Sequence, residues 1–79
     1  MPKLTRADRA LVASVRYLCG VGPCLSLTGR CTNRLLTLAG SKPLPCKPSD
    51  LLTLRSRQVR PVLDAIERGQ LFFVTAKRI

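Results

Sequence analysis

The chain has no His and no Trp, only four acidic residues, and an aromatic set limited to Tyr17, Phe72 and Phe73. Each shortage excludes something. Without His, a Ser-His-Asp or Cys-His centre has no base unless another residue serves, and the structural zinc sites that draw on His lose half their ligand repertoire. The acids Asp8, Asp50, Asp64 and Glu67 lie far apart or on polar faces and form no buried pair for general acid–base work. Neither a G-x-x-x-x-G-K-[ST] loop nor a G-x-G-x-x-G turn occurs. An enzyme is therefore not expected, and no cofactor is implied. The scarcity of aromatics also argues against a stacking platform for single-stranded nucleic acid. The longest near-apolar stretch, Leu11–Val15, is broken by Arg16 and is too short for a membrane span or the core of a signal peptide, so the expected location is the cytoplasm.

Cysteine is present but poorly arranged for metal. Cys19, Cys24, Cys31 and Cys46 are spaced C-x4-C, C-x6-C and C-x14-C, with no C-x2-C pair. In a reducing compartment they are expected to act as small buried hydrophobes, Cys24 and Cys31 among them.

What the chain does have is positive charge. Fourteen Lys and Arg against four acids give +10 over 79 residues, and ten of the fourteen are Arg. A small body with that charge repels itself and attracts polyanions or acidic protein surfaces. Arg adds a planar donor fork that suits phosphate and carboxylate. The charge is split evenly, +5 in residues 1–40 and +5 in residues 41–79, so the cations should decorate a folded surface rather than form an arm. Apolar content of 46% supports such a folded body. Seventy-nine residues make one domain, and domains this size bury only about 60% of their surface. Self-association as a homodimer is expected on that ground.

Periodicity suggests an α+β chain in three parts: two N-terminal amphipathic helices (residues 1–40), a Pro-rich connector (41–49), and a strand-helix-strand unit (50–79). Thr5 and Asp8 have the T-x-x-D spacing of a capping box, and Leu11, Val12, Val15, Leu18 and Cys19 follow as one helical stripe stopped by Gly20. Opposite it, Arg6, Arg9 and Arg16 line about 15 Å of a solvent face, a spacing that can follow a phosphate backbone or simply be a solvated face. From Pro23, the residues Cys24, Leu27, Cys31, Leu35 and Leu38 fit a second helical stripe over 24–39. The segment SKPLPCKPS holds three of six prolines and reads as a spacer. Leu52 and Leu54 alternate with polar neighbours in a strand, a helix should begin at Pro61 and end at Gly69, and Leu71–Thr75 should form a closing strand. Asp64 and Arg68 are placed for an i, i+4 pair. If 51–57 is extended, Arg55 and Arg57 share a face about 6.6–6.8 Å apart, near the phosphate repeat, with Arg60 nearby. Charge on an edge strand against self-pairing explains the same pattern.

The run L-R-S-R-Q-V-R-P-V-L-D-A-I-E-R-G-Q-L-F-F-V-T, residues 54–75, resembles the start of the Phd/YefM antitoxins. There a strand leads into a helix, an E-x-G-type turn and a strand closing in V-T. The resemblance covers about a quarter of the chain and lies at its C-terminal end, whereas in that family it opens the protein. Such antitoxins are dimeric DNA-binding repressors, and what the resemblance implies for this chain is a DNA-associated regulator.

Three functions follow as expectations. The first is a small DNA-binding accessory or regulatory protein of phage or plasmid type that contacts phosphates through Arg6, Arg9, Arg16, Arg55, Arg57, Arg60, Lys77 and Arg78, with duplex DNA favoured. Six such contacts would give a log–log salt slope of about −5. The second is a protein-interaction module that binds, and inhibits, an acidic host protein through an Arg rim around Tyr17, Phe72 or Phe73. A subunit of a nucleoprotein assembly is a third.

Overall fold

A computed structural model describes residues 3–78, with side chains described for residues 3–69. The order of elements is α1 (Arg6–Val21), β1 (Cys24–Thr28), α2 (Gly29–Leu38), β2 (Leu51–Arg55) and α3 (Ser56–Arg78). This is an α+β fold of three helices and one two-stranded antiparallel sheet, not two helices followed by strand-helix-strand.

The start of α1 is set by a reciprocal capping box. The Asp8 N–H donates to Thr5 Oγ1 at 3.1 Å, and the Thr5 N–H donates to Asp8 Oδ2 at 3.0 Å. Two of the helix's orphan donors are satisfied this way. Asp8 also ties α1 to α2. Its two carboxylate oxygens accept from Arg34 Nε and Nη2, both at 2.8 Å, across 26 residues of sequence. That fork, more than any other contact, holds the Asp8 carboxyl far below the usual carboxylate range, against the burial that would raise it.

Residues 24–28 form a strand where a helix was expected. The segment fits both periods: Cys24, Leu27 and Cys31 recur helically, but Leu25 and Leu27 alternate with Cys24, Ser26 and Thr28. The strand period prevails because β2 offers a partner with matching alternation. Leu25 faces Leu54 and Leu27 faces Leu52, so the apolar sides of both strands face the helices. Cys24 is therefore exposed, Cys31 and Cys46 are half-buried, and only Cys19 belongs to the core. Helix α2 begins directly after, with Thr28 Oγ1 accepting from the Cys31 N–H at 3.2 Å.

The connector is pinned rather than free. Asn33 donates to the Leu44 carbonyl at 3.1 Å and accepts from the Leu44 N–H at 2.7 Å. The N–H groups of Gly29 and Arg30 donate to the carbonyls of Asp50 and Pro48. This close approach requires Gly29: a Cβ there would overlap the Lys47 carbonyl and sit 2.9 Å from Cys46 Sγ.

Helix α3 starts at Ser56, five residues before Pro61. Ser56 is anchored at both ends of its own atoms, its N–H donating to the Pro23 carbonyl at 2.8 Å and its hydroxyl to the Gly22 carbonyl. An early start also buries Val59 in register with Leu63 and Ile66, and this outweighs the bias of a pre-proline residue away from helix. Pro61, the sixth residue of the helix, is exposed and removes the N–H that would reach the Arg57 carbonyl, a cost that burial of Val59, Leu63 and Ile66 offsets. Gly69 does not terminate the helix. The expected strand at 71–75 is helical instead: a short apolar run carries no period of its own, and here it continues α3. The 51–55 strand pairs with β1 within the chain.

Val15 and Cys19 of α1, Leu25 and Leu27 of β1, Leu35 and Leu38 of α2, and Val59, Leu63 and Ile66 of α3 make up the core. Each large side chain fully buried there stabilises the fold by about 1.5–3 kcal/mol. Among the described residues, no helix is long and apolar enough to cross a membrane.

Candidate nucleic-acid interface

Helices α1 and α3 run antiparallel: Arg16 reaches Asp64 and Glu67, while further along α1 the Cys19 carbonyl accepts from Arg60. This arrangement separates the cations grouped from sequence. Arg6 and Arg9 are exposed in the first turns of α1, about 15–20 Å along the helix from Cys19. Arg16 does not face solvent alone. Its Nη2 lies 2.7 Å from Glu67 and 3.5 Å from Asp64, so the expected Asp64–Arg68 pair gives way to a bridge between helices.

Arg55, Arg57 and Arg60 do converge, though not as an extended strand. The chain turns from β2 into α3 at Ser56, so Arg55 ends a strand while Arg57 and Arg60 stand one turn apart on a helix. All three line an open cleft of about 400 Å³, whose other walls are Cys19 and Gly20 of α1 and the Gly22–Cys24 link into β1. Arg60 Nη2 donates to the Cys19 carbonyl at 2.9 Å, satisfying an acceptor in the last turn of α1. Arg55 and Arg57 are exposed and have no carboxylate partner among the described residues.

The electrostatics of this junction are uneven: the carbonyl end of α1 offsets Arg60, while Arg55 and Arg57 have no such partner among the described residues. The N-terminal end of a helix carries partial positive charge and favours anions, yet the first turn of α3 holds no acid and the cleft holds three guanidinium groups. The acids that might have neutralised them are engaged elsewhere. Asp8 is forked by Arg34, Asp64 and Glu67 by Arg16, and Asp50 accepts from the Lys47 N–H at 2.9 Å. Of the twelve Lys and Arg with described side chains, only Arg16 and Arg34 are in ion pairs, leaving ten unpaired among the described residues.

Arg30 and Lys47 were not singled out from sequence. Both are exposed at the far end of the sheet from the cleft, Arg30 in the first turn of α2 and Lys47 in the loop packed on Gly29. Only the β1–α2 boundary could have revealed them, and that boundary was hidden by the competing helical period. Tyr17 is 73% exposed on α1, with Leu18 and Val21 beside it on the surface. Phe72, Phe73, Lys77 and Arg78 lie outside the residues whose side chains are described. Among the described residues, no three Cys, Asp or Glu side chains gather as a metal site.

No protein-family model, curated protein sequence or solved structure gives a significant match to this chain. The antitoxin resemblance of residues 54–75 therefore stands without a family match, and its closing strand is part of α3.

Proposed function

We propose that this protein is a small accessory or regulatory protein that binds duplex DNA, gripping backbone phosphates with Arg55, Arg57 and Arg60 in the cleft between the end of α1 and the start of α3. The observation that carries this reading is the placement of three arginines at the positive end of α3 with no acid in its first turn. Cations in that position oppose the helix dipole, and a bound phosphate relieves the opposition while accepting forked hydrogen bonds. Such contacts position a protein on the duplex without reading sequence.

The test is fluorescence anisotropy of a labelled random duplex, titrated with protein from about 50 to about 300 mM salt. Binding in the micromolar range or tighter, with a log–log slope of about −3 or steeper, is expected for at least three neutralised phosphates. A slope near zero, or no binding at low salt, removes the reading.

The exposed Tyr17 and Val21, one helical turn apart on α1, favour a second reading: an aromatic-anchored interaction with an acidic protein surface. That partner would bind one-to-one with a shallow salt dependence. Tyr17→Ala would then abolish binding and leave any DNA affinity unchanged.

A further inference from the structure

We infer that the outer face of the β1–β2 ribbon is a base-reading surface that enters the major groove of duplex DNA. The inference rests on the duplex-binding reading above and adds to it the element that would supply sequence preference.

The register defines the face. Pairing sets Cys24 opposite Arg55, Ser26 opposite Thr53, and Thr28 opposite Leu51. All six residues are exposed, whereas the opposite face carries Leu25, Leu27 and Leu54 against the helices, with Leu52 half-buried opposite Leu27. The centre of the exposed face is the Ser26–Thr53 pair, two short hydroxyl side chains with no hydrogen-bond partner among the described residues. Thr28 serves partly as the cap of α2. A strand protected only against edge pairing would carry long charges or Pro at its middle. Here the middle is low, so the backbone can come close to whatever lies against it.

Charge favours a nucleic acid as the occupant. Arg55, Arg57 and Arg60 stand at one end of the ribbon, and Arg30 and Lys47 at the other. Asp50 is the acid nearest the second end, and its carboxylate accepts from the Lys47 N–H. Five residues of strand span about 13 Å from first to last, and two strands lie about 5 Å apart. A ribbon of that size fits a major groove about 12 Å wide, lying along about four base pairs, with its terminal cations beside the bordering phosphates. The chemistry on the face suits base edges. Ser and Thr hydroxyls donate and accept, and the Thr53 methyl or Leu51 can meet a thymine methyl. A-form RNA hides its major groove, so duplex RNA does not fit.

The test is selection from a randomised DNA duplex pool, run with the wild type and with Ser26→Ala/Thr53→Ala. Both side chains are solvent-facing, so the double variant should keep its circular dichroism spectrum and thermal midpoint. Wild type should enrich a motif of about four base pairs and protect guanine N7 within it from dimethyl sulfate. The double variant should bind random duplex within about twofold, with the same salt slope, and lose about tenfold or more of its preference for the motif. Equal preference by the variant overturns the inference. So does random-duplex binding with no enriched motif, or equal affinity for duplex RNA, and each of these leaves phosphate gripping by the cleft intact. Failure to bind any duplex removes both readings together.

Discussion

Two groups of arginine have opposite fates in this fold. Arg6, Arg9 and Arg16 have the even spacing of a backbone-tracking stripe and share one helix. Arg55, Arg57 and Arg60 come from a stretch that changes from strand to helix part-way. Yet the regular group is dispersed: Arg16 is taken by Asp64 and Glu67, and Arg6 and Arg9 point out at the far end of α1. The irregular group converges on one cleft. Even spacing along one element spreads charge over its length. A junction between elements concentrates it, because neighbouring residues leave the backbone in different directions toward the same space.

The sharpest way to break this comparison is to neutralise each group in turn. Arg55→Ala/Arg57→Ala/Arg60→Ala should weaken random-duplex binding about a hundredfold, with three phosphate contacts at on the order of 1 kcal/mol each. Its log–log salt slope should become shallower by about 3. Arg6→Ala/Arg9→Ala/Arg16→Ala should change the slope by less than about 1. Anisotropy titrations on both triple variants decide the matter, and a larger loss from the α1 set would move the interface to that helix.

Next in size is the effect of acid on the paired side of the comparison. Asp8 closes the cap of α1 and takes both donors of Arg34, so Asp8→Asn should lower stability by about 2 kcal/mol at neutral pH. The carboxyl titrates lower in the folded chain than in the unfolded one. Its contribution is therefore complete above the unfolded value of about 4 and declines as the pH falls through and below it. Urea midpoints from about pH 3 to pH 7 should fall on the acid side for wild type and vary less for Asp8→Asn. DNA affinity at neutral pH should stay unchanged, since Arg34 lies in neither the cleft nor the ribbon.

Arg16→Ala tests the same division with a smaller effect. The bridge to Asp64 and Glu67 is half-exposed, so its loss should lower stability by less than about 1 kcal/mol. Duplex affinity should fall by less than about twofold, because one cation is lost and Asp64 and Glu67 are left unpaired. A tenfold loss would show Arg16 reaching the duplex despite its two carboxylate partners.

The elements legible in sequence were those whose cues are local. The Thr5–Asp8 spacing predicted the cap that the structure contains, and the alternation at Leu52 and Leu54 predicted β2. Arg55, Arg57 and Arg60 line one cleft, although not on one extended strand: the strand ends at Arg55. What escaped depends on distant partners. Strand β1 wins over a helix only because Leu54 and Leu52 lie opposite Leu25 and Leu27. Arg34 is a clamp, not a free cation, only because Asp8 folds back across 26 residues. Local composition contains neither of these facts.

The smallest effect discriminates best, because its sign differs between the two properties measured. Arg57 stands in the first turn of α3, at the positive end of the helix dipole and beside Arg55 and Arg60. Removing its charge relieves an unfavourable interaction in the free protein, so Arg57→Gln should raise stability by about 0.3–0.5 kcal/mol. A phosphate contact is lost with the same charge, so duplex affinity should fall about fivefold. A residue retained for folding would lose stability on substitution, and an idle surface cation would leave binding unchanged. Thermal midpoints at low salt, where the dipole term is least screened, and anisotropy on the same samples read both signs. A variant that is more stable and binds less tightly identifies Arg57 as a group held in an uncomfortable place for an anion. A variant that is less stable, with binding unchanged, assigns the cleft arginines to the fold and leaves the interface elsewhere.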